Sequence, residues 1–239
     1  MNRAAAPPRA KVFAVLTGDL IGSARLSTER LGGTRRLVLR TARDLRAKAR
    51  HALIGAPEFF RGDAWQLLLG EPRQALRVAL LIRAVLSAEI DVETRVSIGV
   101  GRVDVIDRAR ISRSTGEAFT LSGQALDKIT GYFDLTGALP ERTGVMAVWF
   151  PATLHLCSGL VRTWTRRQAE IVAIALSRDN PTHEGIAKSL RPKVSKQTVS
   201  ESLAGAGWRT LLEAIRAFEA TDWASLAGLP TGQSVAATG

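Results

Sequence analysis

The 239-residue sequence predicts an α+β protein in which a ferredoxin-like, split-βαβ sheet domain precedes a small all-α domain. Two observations support this prediction. Over the first 150 residues, apolar segments with strand and helix periodicity follow one another in the order β-α-β-β-α-β, with one further helix and strand appended. After residue 164 the periodicity is helical only, with capping residues and breaks at short intervals.

Each predicted strand has its own pattern. The first is apolar on both alternations, which is typical of a central strand. The second and third are separated by Arg61, Gly62 and Asp63, a tight turn that indicates a hairpin. The fourth alternates apolar and polar residues. The predicted strands are residues 12–17, 58–60, 64–69, 94–100 and 145–150.

Three helices are expected between these strands. Thr34, after a loop containing Gly32 and Gly33, is predicted to cap the first helix. Pro72 suits the first turn of the second helix, whose apolar residues repeat at helical spacing. The third helix is expected over residues 116–129.

The C-terminal region is predicted to contain a helix-turn-helix. Thr165 and Gln168 fit a capping box at the start of a first helix. Residues 179–181 break that helix, a short second helix follows, and residues 191–193 form the turn. Ser195 then caps a third helix, and a last amphipathic helix runs to about residue 220. The apolar residues that match a helix-turn-helix core are Ile186, Ala187, Leu190, Val194, Val199 and Leu203.

These patterns define the expected domain boundaries. Residues 1–10 are predicted to be a disordered tail, because they are basic and lack the apolar core of a signal peptide. The sheet domain is expected over 11–150, a linker over 151–164, the helix-turn-helix domain over 165–223 and a second disordered tail over 224–239.

The composition points to a cytoplasmic protein with a polyanionic partner. The formal net charge is +11, and excess positive charge attracts nucleic acids, nucleotides or acidic surfaces. The alternative for the arginine-rich segment 35–50 is a solvated helix face. No apolar run approaches the roughly 20 residues of a membrane span. The single cysteine, Cys157, excludes an internal disulfide and is expected to be a small core residue, and the three histidines have no zinc-site spacing.

Two aspartates at strand ends are candidate metal ligands. Asp19 follows the first strand and Asp63 lies in the hairpin turn, and a split-βαβ sheet places these two segments side by side. Mg²⁺ commonly takes one or two carboxylates together with substrate phosphates. The alternative is structural: Asp19 caps a turn, and Asp63 is present because turns favour Asp.

Four segments resemble class III nucleotidyl cyclases. VFAVLTGDLIGS resembles the first metal-binding segment of that family and FFRGDAWQLLL resembles its second. TRVSIGVGRV and STGEAFTLSGQAL are similar to the strand and helix that follow, in the same order. With the attached helix-turn-helix, the chain is similar to the SatD-like proteins of bacteria within that superfamily.

The resemblance implies Mg²⁺ or Mn²⁺ at Asp19 and Asp63, a nucleoside triphosphate beside them, and a homodimer. Thr120 and Gln124 stand where cyclases carry a catalytic Asn and Arg. Gln lacks the positive charge with which the Arg would stabilise the negative charge that develops on the phosphate. Nearby arginines, Arg61 or Arg113, are alternative sources of that charge. The residues expected to bind the nucleotide are Gly18, Leu20, Ile21, Gly22, Ser23, Arg61 and Gly62.

The helix-turn-helix supplies a second set of candidates. Residues at the N-terminal end of a recognition helix reach base edges, and basic residues near it contact phosphates. The residues expected to bind DNA are Arg191, Lys193, Ser195, Lys196, Gln197, Thr198 and Ser200. A small helical bundle that serves as a dimerisation or lid module is the alternative for this region.

The sequence therefore favours a nucleotide- and metal-responsive DNA-binding regulator with a degenerate cyclase-like domain. The alternative is an active Mg²⁺-dependent nucleotidyl cyclase or nucleotidyltransferase. A third hypothesis is an adaptor with neither activity.

Overall fold

The computed structural model describes residues 11–48, 53–177 and 181–227, which contain five strands and nine α-helices. The strands are β1 Phe13–Leu20, β2 Leu53–Phe60, β3 Ala64–Leu69, β4 Thr94–Gly101 and β5 Leu135–Ala138. The helices are α1 Thr28–Lys48, α2 Ala75–Ile90, α3 Glu117–Asp127, α4 Val145–Val161, α5 Arg166–Leu176, α6 His183–Ser189, α7 Lys196–Gly205, α8 Trp208–Ala220 and α9 Trp223–Ala227.

The five strands form one mixed sheet in the order β2-β3-β1-β4-β5. The first four in that order are antiparallel to their neighbours, and β5 adds parallel to β4 at the edge. In the central strand β1, Leu16 lies opposite Leu67 of β3 and Ile98 of β4. Strands β1 to β4 and helices α1 and α2 have the predicted split-βαβ arrangement.

One face of the sheet carries the main hydrophobic core. Leu16, Leu67 and Ile98 are fully buried on this face, and α1 and α2 cover them. Helix α2 is buried on almost all sides, because the sheet lies on one side of it and α5 packs on the other.

The opposite face is covered at one end by α3. Phe13, Val15 and Leu68 form a second apolar cluster there with residues of α3 and of the segment before it. Further along β1, the buried hydroxyl of Ser122 donates to Thr17 Oγ1 at 2.7 Å, so the contact between helix and sheet becomes polar toward the end of the strand.

The C-terminal helices pack onto the sheet domain and share its core. Arg77 of α2 pairs with Glu219 of α8 at 2.6 Å. Phe150 of α4, Phe218 of α8 and Trp223 of α9 form an aromatic cluster with ring centroids 4.5–5.8 Å apart. The hydrophobic cluster that begins in the sheet is therefore continuous with that of the C-terminal helices.

The first helix begins earlier than predicted. Gly32 and Gly33 lie inside α1, which starts at Thr28, and Thr34 does not cap it. The buried Thr34 hydroxyl donates instead to the Arg30 carbonyl, at 2.9 Å. Leu31 packs against the main core, and this packing outweighs the low helix propensity of the two glycines.

The prediction of a last strand at 145–150 is wrong. These residues form the start of α4, because Phe150, Leu154, Cys157 and Val161 recur at helical spacing and are buried against the rest of the fold. The fifth strand is β5, further upstream. Cys157 is buried, as predicted, and burial raises the pKa of its thiol to about 11.

The predicted linker and tails are described only in part. Residues 151–161 of the linker complete α4, and residues 224–227 of the C-terminal tail lie in α9, with Ala227 fully buried. The remaining predicted tail segments, 1–10 and 228–239, lie outside the described residues. No helix in the described part of the chain is long and apolar enough to cross a membrane.

Candidate functional site

The sheet brings the two predicted metal ligands to the same end of neighbouring strands. Asp19 is the penultimate residue of β1, and Asp63 lies in the turn immediately before β3. In the antiparallel pairing of these strands, Gly18 lies opposite Trp65, so each aspartate is one or two positions from that pair. Both aspartates thus lie at the same end of neighbouring strands, and metal binding by them stays a prediction.

Asp19 already has a cationic partner. Arg95 lies directly opposite it on β4, and its guanidinium donates from both Nε and Nη2 to the two carboxylate oxygens, with Nε 2.8 Å from Oδ1. The hydrogen bond to Asp19 is the main cause that raises the pKa of Arg95 above its ordinary value, although burial acts in the opposite direction. The charges of Asp19, Asp134 and Asp63 add to the increase.

Asp63 is held by a hydroxyl. Ser23, in the short turn after β1, donates its Oγ–H to Asp63 Oδ2. The neighbouring Gly62 carbonyl accepts from Arg35 Nη2 of α1 at 2.8 Å. Helix α1 and the turn after β1 therefore each hold the hairpin turn in place through a hydrogen bond.

In this structure the carboxylate of Asp19 is occupied by Arg95 rather than free for a divalent metal ion. Both oxygens of Asp19 accept from Arg95, so a cation at that carboxylate would have to displace a bidentate ion pair. Within the described residues, no group of three or more His, Cys, Asp or Glu side chains is placed to hold a metal. At Asp19, the Arg95 guanidinium provides the positive charge that a bound metal ion would otherwise provide.

The residues predicted to bind a nucleotide divide into core and surface positions. Gly18 faces the core, where a Cβ would collide with the Trp65 ring, and Leu20 is buried. Ile21 is at the surface, and its backbone N–H donates to the Glu93 carbonyl. Gly22 and Gly62 have the left-handed backbone that turns require, and Gly62 faces open space.

Arg61, also predicted to bind the nucleotide, is exposed in the hairpin turn with a φ of 51°. The alternative Arg113 is exposed in a 3₁₀ turn before α3. Both arginines have exposed side chains.

Thr120 and Gln124 lie on the exposed side of α3. The Thr120 hydroxyl is 3.4 Å from the Gly116 carbonyl of its own helix turn. Gln124 lines a cavity of about 440 Å³ between α3, β5 and α4, together with Thr136 and His155. Neither residue supplies the charged group that cyclisation would require.

The second candidate region is the α6–α7 pair. Thr182 caps α6 and Ser195 caps α7, each accepting a hydrogen bond from the backbone N–H three residues later, as the sequence predicts for Ser195. Ile186 of α6 and Val199 of α7 are fully buried, and Leu203 is nearly so. The two helices thus pack on each other and on α5 through the predicted apolar residues.

The seven residues predicted to bind DNA are all exposed, and some of them have local partners. Ser195 and Thr198 bond to each other at 2.9 Å as part of the helix cap. Arg191 donates to the carbonyls of Lys188 and Leu190, and Gln197 donates to Glu201 at 2.9 Å. The other members of the set are Lys193, Lys196 and Ser200.

Arg95 is the site residue that sequence reasoning missed. Its signal is a charged residue at a polar position of the β4 alternation, but only the register of β4 against β1 pairs it with Asp19.

Comparisons with known proteins do not assign a family or a function to this chain. No protein-family model matches the chain, and no curated protein matches it. Twelve chains of solved structures match, among them the crystal structure of the guanylyl cyclase Cya2. That match has a TM-score of 0.40 and 18% sequence identity, and it covers 53% of this chain and 74% of that chain.

Proposed function

We propose that the protein binds double-stranded DNA through α6 and α7, acting as a helix-turn-helix. The main supporting observation is that α7 has one buried side and one exposed side. Val199 and Leu203 anchor one side in the core, and the other side carries exposed Lys196, Gln197 and Ser200 in its first two turns. The N-terminal end of such a helix reaches the major groove, where Gln pairs well with adenine.

The basic residues before α7 are placed for phosphate contacts. Arg191 and Lys193 are exposed in the turn, and Arg167 of α5 braces that turn by donating to the Pro192 carbonyl at 3.3 Å. With a chain charge of +11, these contacts make DNA affinity fall steeply with salt. Ser195 and Thr198 contribute by holding the helix end rather than by reading bases.

The attachment of the α6–α7 pair supports a regulatory role. Helix α5 packs both on α2 of the sheet domain and on α7. A ligand that favours one position of α2 would therefore shift the DNA-binding helices, provided that it binds the two arrangements with different affinity.

The proposal is tested by fluorescence anisotropy with duplexes selected from a random pool. Lys196→Ala is expected to weaken binding to all sequences and to lower the salt slope by about one, whereas Gln197→Ala is expected to lose roughly 1–3 kcal/mol on the selected sequence only. The matched control Arg209→Ala removes one positive charge from an exposed position on α8. Absence of any DNA retention at low salt, or retention that salt does not weaken, would favour the adaptor hypothesis.

Nucleotide binding at the Asp19–Asp63 edge is the second candidate function. It is favoured by the placement of both carboxylates at one end of the sheet, beside a Gly62 that leaves its backbone open. The guanidinium of Arg95, whose side chain is 35% exposed, is available to a phosphate only if it leaves Asp19. Arg95 therefore opposes metal-dependent catalysis at this site.

Isothermal titration with ATP, GTP and cyclic nucleotides in the presence of Mg²⁺ tests this candidate. Binding by the wild type that Asp63→Ala abolishes would establish the site. Pyrophosphate release that Asp19→Ala abolishes would establish the enzyme alternative instead. If none of these ligands binds, the two aspartates have only structural roles.

A further inference from the structure

Helix α1 carries a row of arginines on its outer side. Arg36, Arg40 and Arg43 are spaced four and three residues apart, so they follow one side of the helix, and all three are exposed. Val38 and Ala42 lie on the other side of α1 and are buried in the main core. With the rise of an α-helix, the row extends over about 10 Å.

A chain of contacts connects this row to the helix-turn-helix. Arg40 pairs with the Glu89 carboxylate near the end of α2. The Arg166 guanidinium, at the start of α5, donates to the backbone carbonyl of Glu89 at 3.2 Å. Arg167, the next residue, donates to the Pro192 carbonyl in the turn before α7. Positive side chains therefore continue from α1, across the first turn of α5, to the turn that precedes α7.

These side chains form one surface, which we call the basic band. Its members are Arg36, Arg40, Arg43, Arg166, Arg167, Arg191, Lys193 and Lys196. The acidic side chains beside its α1 and α5 part are those of Asp44, Glu89 and Glu170, and the last two are already paired with arginines of the band. The band therefore has a positive charge. DNA, which carries one negative charge per about 1.7 Å of its axis, has the complementary charge.

Helix capping explains only part of the band. Cations near the last carbonyls of a helix stabilise it, and Arg30 and Arg166 both donate to carbonyls at the end of α2. Arg36 and Arg43 are not part of this cap, because they point outward from α1 and are exposed. Their positive charges are therefore accessible to a partner.

We propose that the basic band binds the DNA backbone beside the sequence that α7 reads, so that one duplex contacts both α7 and α1. This inference rests on the proposed function and adds to it a contact that carries no sequence information. The band meets α7 at its N-terminal end, which is the end of a recognition helix that reaches base edges. A duplex read by α7 therefore lies next to the band.

The structure favours DNA over an acidic membrane surface as the partner of the band. A helix that binds a membrane surface buries an apolar face among the lipids. The apolar face of α1 is already packed in the protein core through residues such as Leu37 and Val38. What α1 leaves exposed is the row of arginines, which suits phosphate contacts in water.

Fluorescence anisotropy with two duplexes of different length tests the proposal. Both contain the sequence selected for α7. The shorter has about 12 base pairs, and the longer has about one additional helical turn of arbitrary sequence at each end. Arg36→Ala/Arg43→Ala is expected to weaken binding to the longer duplex and to lower its salt slope by about two, with no change on the shorter one. Lys196→Ala is expected to weaken binding to both.

The control Arg110→Ala/Arg209→Ala removes the same charge from two exposed positions outside the band and is expected to leave both salt slopes unchanged. If Arg36→Ala/Arg43→Ala behaves like this control while Lys196→Ala weakens both duplexes, the inference is wrong and the proposed function stands. An equal loss on both duplexes would contradict a contact beside the selected sequence. If the wild type binds neither duplex, the proposed function fails and the inference fails with it.

Hydroxyl-radical footprinting on the longer duplex locates the contact. The wild type is expected to protect the backbone of the selected sequence and of one flank, and Arg36→Ala/Arg43→Ala only the selected sequence. Wild-type protection confined to the selected sequence would overturn the proposal. Binding to vesicles of phosphatidylglycerol and phosphatidylcholine that this variant weakens, while its DNA affinity is unchanged, would assign the band to a membrane surface instead.

Discussion

At the scale of single residues, the core contains a buried ion pair that the apolar periodicity of the sequence does not predict. Arg83 interrupts the apolar face of α2, yet it is only 4% exposed. Its guanidinium donates to Asp134 Oδ2 and to the Thr94 carbonyl, at 2.8 and 2.9 Å. The Asp134 backbone N–H in turn donates to Ser158 of α4, also buried. One ion pair thus links α2, β4 and the segment before β5.

Breaking this pair is expected to destabilise the protein strongly. Asp134→Ala leaves the buried Arg83 guanidinium with only the exposed Glu93 carboxylate, 3.7 Å away, and breaking a buried ion pair typically loses 3–5 kcal/mol of the free energy of unfolding. Urea denaturation measures the loss. The double variant Arg83→Met/Asp134→Leu serves as the control, because replacing both partners with apolar residues is expected to recover most of the stability. A loss below about 1 kcal/mol in Asp134→Ala would show that the pair does not stabilise the fold.

A titration prediction concerns His155, which stacks on Phe133 with ring centroids 4.0 Å apart and pairs with Thr136. Burial lowers the pKa of His155 below its ordinary value of 6.5, so the unfolded chain binds the proton more readily. Stability from this residue is therefore present above pH 6.5 and falls as the pH drops from 6.5 through the lowered pKa. Thermal unfolding between pH 5 and 8 is expected to show this fall in the wild type and a smaller one in His155→Gln. Equal slopes in the two proteins would contradict it.

At the scale of elements, the sequence predicted those segments whose periodicity has a single interpretation. β1, β3, β4 and the turn at 61–63 lie where predicted, and the capping box at Thr165 is present, but β2 begins at Leu53, upstream of the predicted 58–60. The run at 145–150 was misleading, because a short apolar segment fits a strand or a helix and α4 keeps apolar residues on its exposed side as well. Strand β5 is four residues long, too short for its periodicity to stand out.

The candidate site was also predictable only in part. The ends of adjacent strands follow from topology, so Asp19 and Asp63 could be placed near one another. The Arg95 partner depends on register, which the hydrophobic pattern does not specify for a charged residue at the end of a strand.

Variants that remove the cap of α6 or of α7 distinguish an effect on stability from an effect on DNA binding. Ser195→Ala and Thr182→Ala each remove one cap from a short helix, and each is expected to lower stability by about 1 kcal/mol. Only Ser195→Ala loosens the helix end that carries Lys196 and Gln197, so it alone is expected to weaken DNA binding. Thermal unfolding and anisotropy on the same samples measure both effects. An equal loss of DNA affinity in the two variants would argue against recognition by the start of α7.

At the scale of the whole molecule, the predicted division into two domains and the observed packing predict different unfolding transitions. Two independent domains would unfold in two transitions, whereas the packing joins the two parts. Helix α5 covers the outer face of α2, and Arg77 of α2 reaches Glu219 of α8. The aromatic cluster of Phe150, Phe218 and Trp223 joins α4 to the last two helices. A chain cut before α5 would leave the outer face of α2 exposed to water.

We therefore expect the full chain to unfold in one cooperative transition. Because α2 is shared by the sheet and by α5, neither part can lose its core without exposing apolar surface of the other. Circular dichroism and tryptophan fluorescence are expected to give coincident urea transitions, since the five tryptophans include buried Trp65 in the sheet and buried Trp223 in the C-terminal helices. Arg77→Ala is expected to shift both probes equally. Two separated transitions, with Arg77→Ala moving only one of them, would show instead that the helices from α5 onward form an independent domain.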